Sequence, residues 1–242
     1  MFRVERNHWW YRGMQHITET LLHRRYAGRT DLDILDAGCG TGLAMSAYLP
    51  KYGRVTGIDI SPLALDFCRQ RGATRLGRGS VLNLPFADHS FDLVTSFDVL
   101  YEDSVLDDAE VLHEFFRVLR PAGRLLLRLP AYDWLRGQHD KVIHTARRYQ
   151  RRRVISMLQA SHFDVELVSH ANMFLFPIAL IKRVFDQWVK DRPAASDLAF
   201  PVGPANTLLG NILALEASLI AKHSLPFGLS IIAVAKRNDL NG

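Results

Sequence analysis

From Leu32 onward, short apolar runs alternate with segments whose apolar residues recur every three or four positions. The runs Leu32–Asp36, Arg54–Ile60, Phe91–Phe97 and Arg124–Leu129 read as strands, with a weaker one near Thr74–Gly77. Between them, Leu43–Leu49 reads as a helix stopped by Pro50. A second helix runs from Pro62 to about Gln70 behind the capping Ser61, and a third, Ser104–Leu119, closes at Arg120, Pro121 and Gly123. This rhythm predicts an α/β, Rossmann-like, mostly parallel sheet with helices on both faces. Ahead of it, residues 5–26 form an amphipathic helix with Ile17, Leu21 and Leu22 on its buried stripe, ending near Gly28.

After Pro130 the pattern changes. A polar loop, Tyr132–Arg153, leads to a helix at Val154–Ala160 and a strand at Phe163–Ser169, and Ser230–Ala235 is the last strand. The intervening stretch of about sixty residues is long for a connection. It holds two amphipathic helices, Phe174–Lys190 and Thr207–Lys222, around a linker with Pro193, Pro201, Gly203 and Pro204. The expected organisation is one domain over 1–242: a helical cap (1–30), a core (31–170 and 225–238) and a helical insertion or lid (171–224).

Composition adds little to this picture. The net charge of +5 is mild, and much of the excess sits in the run Arg147–Arg153, so it does not argue for nucleic acid. The two cysteines, Cys39 and Cys68, have no spacing of a zinc site or disulfide framework, and a reduced, cytoplasmic setting is expected. The first twelve residues lack the apolar core of a signal peptide. The longest apolar stretch, Met173–Ile181, spans nine residues and is too short to cross a bilayer.

The chemistry concentrates between Asp33 and Asp59. Asp36-Ala37-Gly38-Cys39-Gly40-Thr41-Gly42 follows a strand and precedes a helix, and a turn so tight needs residues that tolerate positive φ and let backbone approach a ligand. Asp59, at the tip of the next strand, can accept both hydroxyls of a ribose. The glycines fall at 38, 40 and 42, whereas the pyrophosphate-binding fingerprint is G-x-G-x-x-G. A carboxylate at Asp36 is also a poor neighbour for a diphosphate and a good one for a ligand bearing an ammonium and a sulfonium. The spacing favours S-adenosylmethionine over NAD.

The successive segments DAGCGTG, GIDIS, LPFADHSFDLV and VLRPAGRLLLRLP resemble, in order, the motifs of the class I, type 11-like, small-molecule S-adenosylmethionine-dependent methyltransferases. The resemblance covers residues 33 to about 130. It implies a seven-stranded sheet with an antiparallel final hairpin and methyl transfer that leaves S-adenosylhomocysteine; no metal is expected. By the same resemblance, Asp36, Gly38, Cys39 and Gly40 face the cofactor, the ribose sits on Asp59, and the adenine packs near Ile60, Val81 and Leu82. Phe97 then lies near the methionine end. Family members commonly carry an acid where this chain has Ser80, so a hydroxyl or backbone contact must replace it. Looser likeness of ERNHWWYRGMQHIT and QHDKVIHTARRYQRRRVISML to a bacterial subgroup implies that Tyr11 and Arg12 reach the cofactor's carboxylate, the arginine as a fork.

His139, Asp140, His144, Arg148 and Tyr149 follow a strand whose carboxyl end faces the cofactor. Methyl transfer needs alignment, exclusion of water and removal of one proton, and His139 or His144 is the natural base. Tyr101 is a further candidate on the acceptor side, and the arginine run is either a solvated helix start or an anion site. The expected substrate is a small apolar, aromatic or lipid-like molecule methylated on oxygen first, with nitrogen and carbon as alternatives. Surplus apolar surface on the inserted helices fits a cap over the acceptor, a homodimer contact or peripheral membrane docking. RNA is disfavoured because no basic-aromatic array and no Asn/Asp-Pro-Pro-Tyr element occurs. A non-catalytic adenosylmethionine-binding protein is the remaining alternative.

Overall fold

A computed structural model describes residues 2, 4–136, 146–181 and 204–238. Helix α1 (Trp9–Tyr26) precedes β1 (Leu32–Ala37), α2 (Leu43–Ala47), β2 (Gly53–Asp59), α3 (Pro62–Gln70) and β3 (Leu76–Arg78). Then come β4 (Phe91–Phe97), α4 (Asp108–Val118), β5 (Leu119–Pro130), α5 (Arg151–Ala160), β6 (Phe163–Ala171), α6 (Pro204–Ile220) and β7 (Ser230–Arg237). The seven strands form one sheet in the order β3-β2-β1-β4-β5-β7-β6. β1 to β5 run parallel, and β7 lies antiparallel between β5 and β6. Strand order therefore reverses beside β1, and a crevice opens outside the carboxyl ends of β1 and β4.

Local chemistry sets the helix ends. Ser61 Oγ accepts from Ala64 N at 3.3 Å, with Pro62 in the first turn. α4 starts later than its periodicity suggests, because Asp107 Oδ1 accepts from Ala109 N at 2.8 Å and caps the helix there. His8 plays the same part for α1, its ring nitrogen accepting from Trp10 N.

Successive strand residues point to opposite faces, so both faces are buried. Leu35, Val94 and Leu127 pack with Phe115 of α4 and Leu158 of α5 on one side. Ile34, Leu93 and Leu126 pack on the other with Ile17 and Leu21 of α1 and Leu213 and Ile220 of α6. α6, a helix of the expected insertion, is thus built into the core. Its approach to α1 is close: a Cβ at Gly13 would lie 2.5 Å from Leu213 Cγ. Asn206 fixes the ends, its Oδ1 accepting from Trp9 N at 2.7 Å and its Nδ2 donating to Asn7 O at 2.6 Å. Among the described residues, no helix is long and apolar enough to cross a membrane.

Candidate active site

A cavity of about 530 Å³ fills the crevice. One lobe is made by the β1–α2 turn, the tip of β2 and residues 79–81. The other lies between α1, the ends of β4 and β5, and the 172–179 segment.

The turn is held to β2 by its backbone. Gly38 N and Cys39 N both donate to Ile58 O, at 2.8 and 3.0 Å. Gly38, Gly40 and Gly42 all have left-handed φ, of 78°, 53° and 76°. Gly38 and Gly42 are also packed against Val99 and Cys68, whereas a Cβ at Gly40 would meet no protein atom within 4 Å. Gly40 lines the cavity, so the space beside it is room for a ligand. Asp59 Oδ2 accepts from Gly40 N at 2.8 Å and Oδ1 from Ser61 N at 2.9 Å. Each oxygen keeps a lone pair for a ligand hydroxyl.

Asp36 is fully buried and accepts a hydrogen bond from Thr95 Oγ1 at 2.7 Å. Burial pushes its carboxyl up to about 6, against the pull of Thr95 and of the nearby Arg128 guanidinium. A buried anion of this kind accepts a ligand's cation. Arg128, opposite Phe97 in the β4–β5 register, lies between two rings, 4.9 Å from Trp10 and 5.0 Å from Phe97. Its Nε and Nη2 both reach Asp98 Oδ2 at 2.7 Å, and Asp98 holds a left-handed φ of 60° to meet them. The guanidinium still lines the cavity. Tyr11 and Tyr101 line it as well, and burial pushes both phenols well up, aided by Glu5 at Tyr11 and by Asp98 at Tyr101. Both are neutral donors near neutral pH rather than bases.

The N-terminal segment seals the turn from outside. Thr41 Oγ1 donates to the Glu5 carboxylate at 2.7 Å, and the buried Arg71 pairs with Glu5 while donating to Thr41 O at 2.8 Å. Phe2 stacks on Phe67 at 4.6 Å and under Arg71.

Of the residues named from sequence, Tyr11, Asp36, Gly38, Cys39, Gly40 and Asp59 line the cavity, as do Ile60, Ser80, Val81, Phe97 and Tyr101. Two are placed elsewhere. Arg12 is exposed and outside the cavity lining, because Trp9, Trp10 and Tyr11 take the arc of α1 that faces the cavity and Arg12, about 100° further round, falls past it. Leu82 packs its side chain against the core while its N–H donates to Ser80 Oγ at 3.2 Å. His139 and His144 lie outside the described residues.

Three arginines of the run, Arg147, Arg151 and Arg153, meet protein groups, and Arg148 lines the cavity while donating to Ala131 O at 3.0 Å. Arg147 donates to Leu100 O at 3.0 Å and pairs with the buried Asp108 at 3.3 Å, and Arg151 donates to Val168 O at 2.8 Å. Arg153 also pairs with Asp108, and Tyr149 Oη donates to it at 2.8 Å. Glu5, Trp10, Asp98 and Arg128 line the cavity without having been singled out from sequence as its walls.

A glycine turn at the end of β1, an acid at the tip of β2, the reversal beside β1 and the antiparallel β7 together define the class I, Rossmann-like methyltransferase fold. Comparisons with known proteins agree. Residues 35–127 match the family described as "Methyltransferase domain". A protein of Mycolicibacterium smegmatis named "Probable S-adenosylmethionine-dependent methyltransferase" is 31% identical over 65% of this chain and 60% of its own length. Demethylmenaquinone methyltransferase of Lactiplantibacillus plantarum is 33% identical over 48% of this chain and 56% of its own. A methyltransferase-like structure from Bacillus halodurans superimposes with a TM-score of 0.59 at 19% identity, covering 91% of this chain and 98% of that one. The chain thus spans no more than about three fifths of these curated relatives. Residues 35–127 are thus similar to the methyltransferase domain family, and the whole chain shares its Rossmann-like fold.

Proposed function

We propose that the protein is an S-adenosylmethionine-dependent methyltransferase acting on a small apolar acceptor, with oxygen the first choice of methylated atom. The observation that carries this is the open space at Gly40 beside the Asp59 carboxylate, which fits an adenosyl ligand, while the Asp36 carboxylate nearby is a poor neighbour for a diphosphate. When bound, adenosylmethionine supplies a methyl group made electrophilic by its sulfonium. Asp59 would hold the ribose hydroxyls, and Ile60 and Val81 the adenine faces, with the Ser80 hydroxyl or backbone in place of the family's acid. Asp36 would offer an anion to the ammonium and Arg128 a cation to the carboxylate of the amino-acid end, the latter a role that the sequence reading gave to Tyr11 and Arg12.

The second lobe would orient the acceptor. Trp9, Pro130, Leu175, Ile178, Ala179 and Leu209 give it apolar walls. Such walls exclude water and suit an aromatic or lipid-like molecule. The likeness to demethylmenaquinone methyltransferase supports this acceptor class. Tyr101, kept neutral, would donate a hydrogen bond to the acceptor, and His139 or His144 would take its proton. The test is transfer of radiolabelled methyl from adenosylmethionine to hydroxynaphthoquinone and catechol acceptors, with adenosylhomocysteine measured in parallel. Label should appear in the organic phase. Replacing the histidine that acts as base by alanine should lower turnover about 10²–10⁴-fold with cofactor affinity unchanged. Equal activity in both histidine variants would remove histidine from the mechanism.

A further inference from the structure

The chain has two cysteines, separated by 29 positions, and the fold brings them together. Cys39 lies inside the cofactor turn and Cys68 on α3, with their sulfurs 3.7 Å apart. Both are buried; Cys39 is at the cavity wall, and Cys68 Sγ also contacts Gly40 O at 3.2 Å. Two glycines make room for them. A Cβ at Gly57 would lie 3.0 Å from Cys39 Sγ, and one at Gly42 would lie 2.9 Å from Cys68 Sγ.

We propose that Cys39 and Cys68 are a peroxide-reactive dithiol whose oxidation to a disulfide deforms the cofactor turn. The cavity gives a small oxidant a route to Cys39. Its sulfur attacks hydrogen peroxide, forming an S–O bond as the O–O bond breaks. The sulfur is oxidised to the sulfenic acid, the peroxide is reduced, and the departing hydroxide leaves as water with the thiol proton. Cys68 Sγ then attacks the oxidised sulfur, the S–S bond forms, and the sulfenic oxygen departs as a second water with the Cys68 proton. Two thiols and one peroxide give one disulfide and two waters. The sulfurs must close from 3.7 Å to about 2.05 Å, which draws the turn toward α3 and breaks the contact of Cys68 with Gly40 O. Misplacement by roughly an ångström at a binding turn is enough to weaken binding tenfold or more. The link to cofactor binding rests on the function proposed above; the formation of the disulfide does not.

The test uses the reduced full chain, treated with hydrogen peroxide with and without adenosylhomocysteine, then denatured, alkylated and weighed intact. The expected product has lost roughly 2 Da, resists alkylation and reverts with dithiothreitol. Cys68→Ser should instead carry an oxygen adduct at Cys39 that dimedone traps. Two alkylated thiols after treatment, or oxygen adducts on both cysteines without an S–S bond, would overturn the proposal. Adenosylhomocysteine should slow the oxidation, and the oxidised chain should bind it at least about tenfold more weakly. If calorimetry finds no binding to the reduced chain, the cofactor reading fails and the disulfide stands. If adenosylhomocysteine binds yet changes neither rate nor affinity, the coupling to the turn is overturned.

Discussion

Asp36 shows how one residue links binding to pH. Its carboxyl is pushed from the ordinary 3.8 up to about 6 by burial, so in the folded, ligand-free protein it is an anion at neutral pH and takes up a proton as pH falls through about 6. The stability this group contributes is therefore present below pH 3.8 and lost as pH rises through about 6, amounting to about 3 kcal/mol. An ammonium beside it favours the anion. Adenosylhomocysteine affinity should therefore fall as pH drops below about 6, by up to tenfold per pH unit, and Asp36→Asn should flatten that profile. Calorimetry at pH 5, 6 and 7 measures this directly; a flat wild-type profile would remove Asp36 from the ammonium site. Arg128 is tested by subtraction. Methylthioadenosine lacks the amino-acid end, so Arg128→Met should weaken adenosylhomocysteine by roughly 1.5–3 kcal/mol and leave methylthioadenosine nearly unaffected. Equal losses for both ligands would show that Arg128 only supports the wall.

At the scale of elements, α1 and α6 act as a pair. The periodicity of each was visible in the sequence, but their mutual contact was not, because 177 positions separate Tyr26 from the linker residue Gly203. The contact centres on Gly13, where a Cβ would intrude on Leu213 at 2.5 Å. Gly13→Ala should cost about 1–3 kcal/mol through overpacking, more than any gain in helix propensity. Leu213→Ala opens a cavity and costs about 2–5 kcal/mol alone. Because the two changes relieve each other, the double variant should be less destabilised than the sum, with a coupling above about 0.5 kcal/mol in urea unfolding. Strict additivity would mean that the helices do not pack through this pair. The same coupling makes α6 unlike a removable lid: excising it would bare Ile17 and Leu21 of α1.

For the whole molecule, the sheet and the glycine-turn lobe of the cavity were legible because their signals are local. A glycine turn, a capped helix behind Ser61 and an acid at a strand tip each lie within a few residues. What escaped needs several distant segments at once. Arg128 is one strand residue until Trp10, Phe97 and Asp98 close around it, and Cys39 meets Cys68 only through the packing of α3. Arg12 was misplaced by helix phase, since Trp9, Trp10 and Tyr11 take the arc of α1 that faces the cavity and Arg12, about 100° further round, falls outside it. The arginine run read as either a solvated helix start or an anion site, because sequence does not show that Arg147 and Arg151 already meet Asp108 and the carbonyls of Leu100 and Val168. The central claim, that the crevice holds an adenosyl amino acid, is tested most directly by calorimetry of the intact chain with adenosylhomocysteine and NAD side by side, with Gly40→Val as the control. Adenosylhomocysteine should bind one per chain to wild type and not at all to a Gly40→Val protein of unchanged circular dichroism, while NAD gives no heat; binding of NAD, or undiminished adenosylhomocysteine binding by the variant, would contradict it.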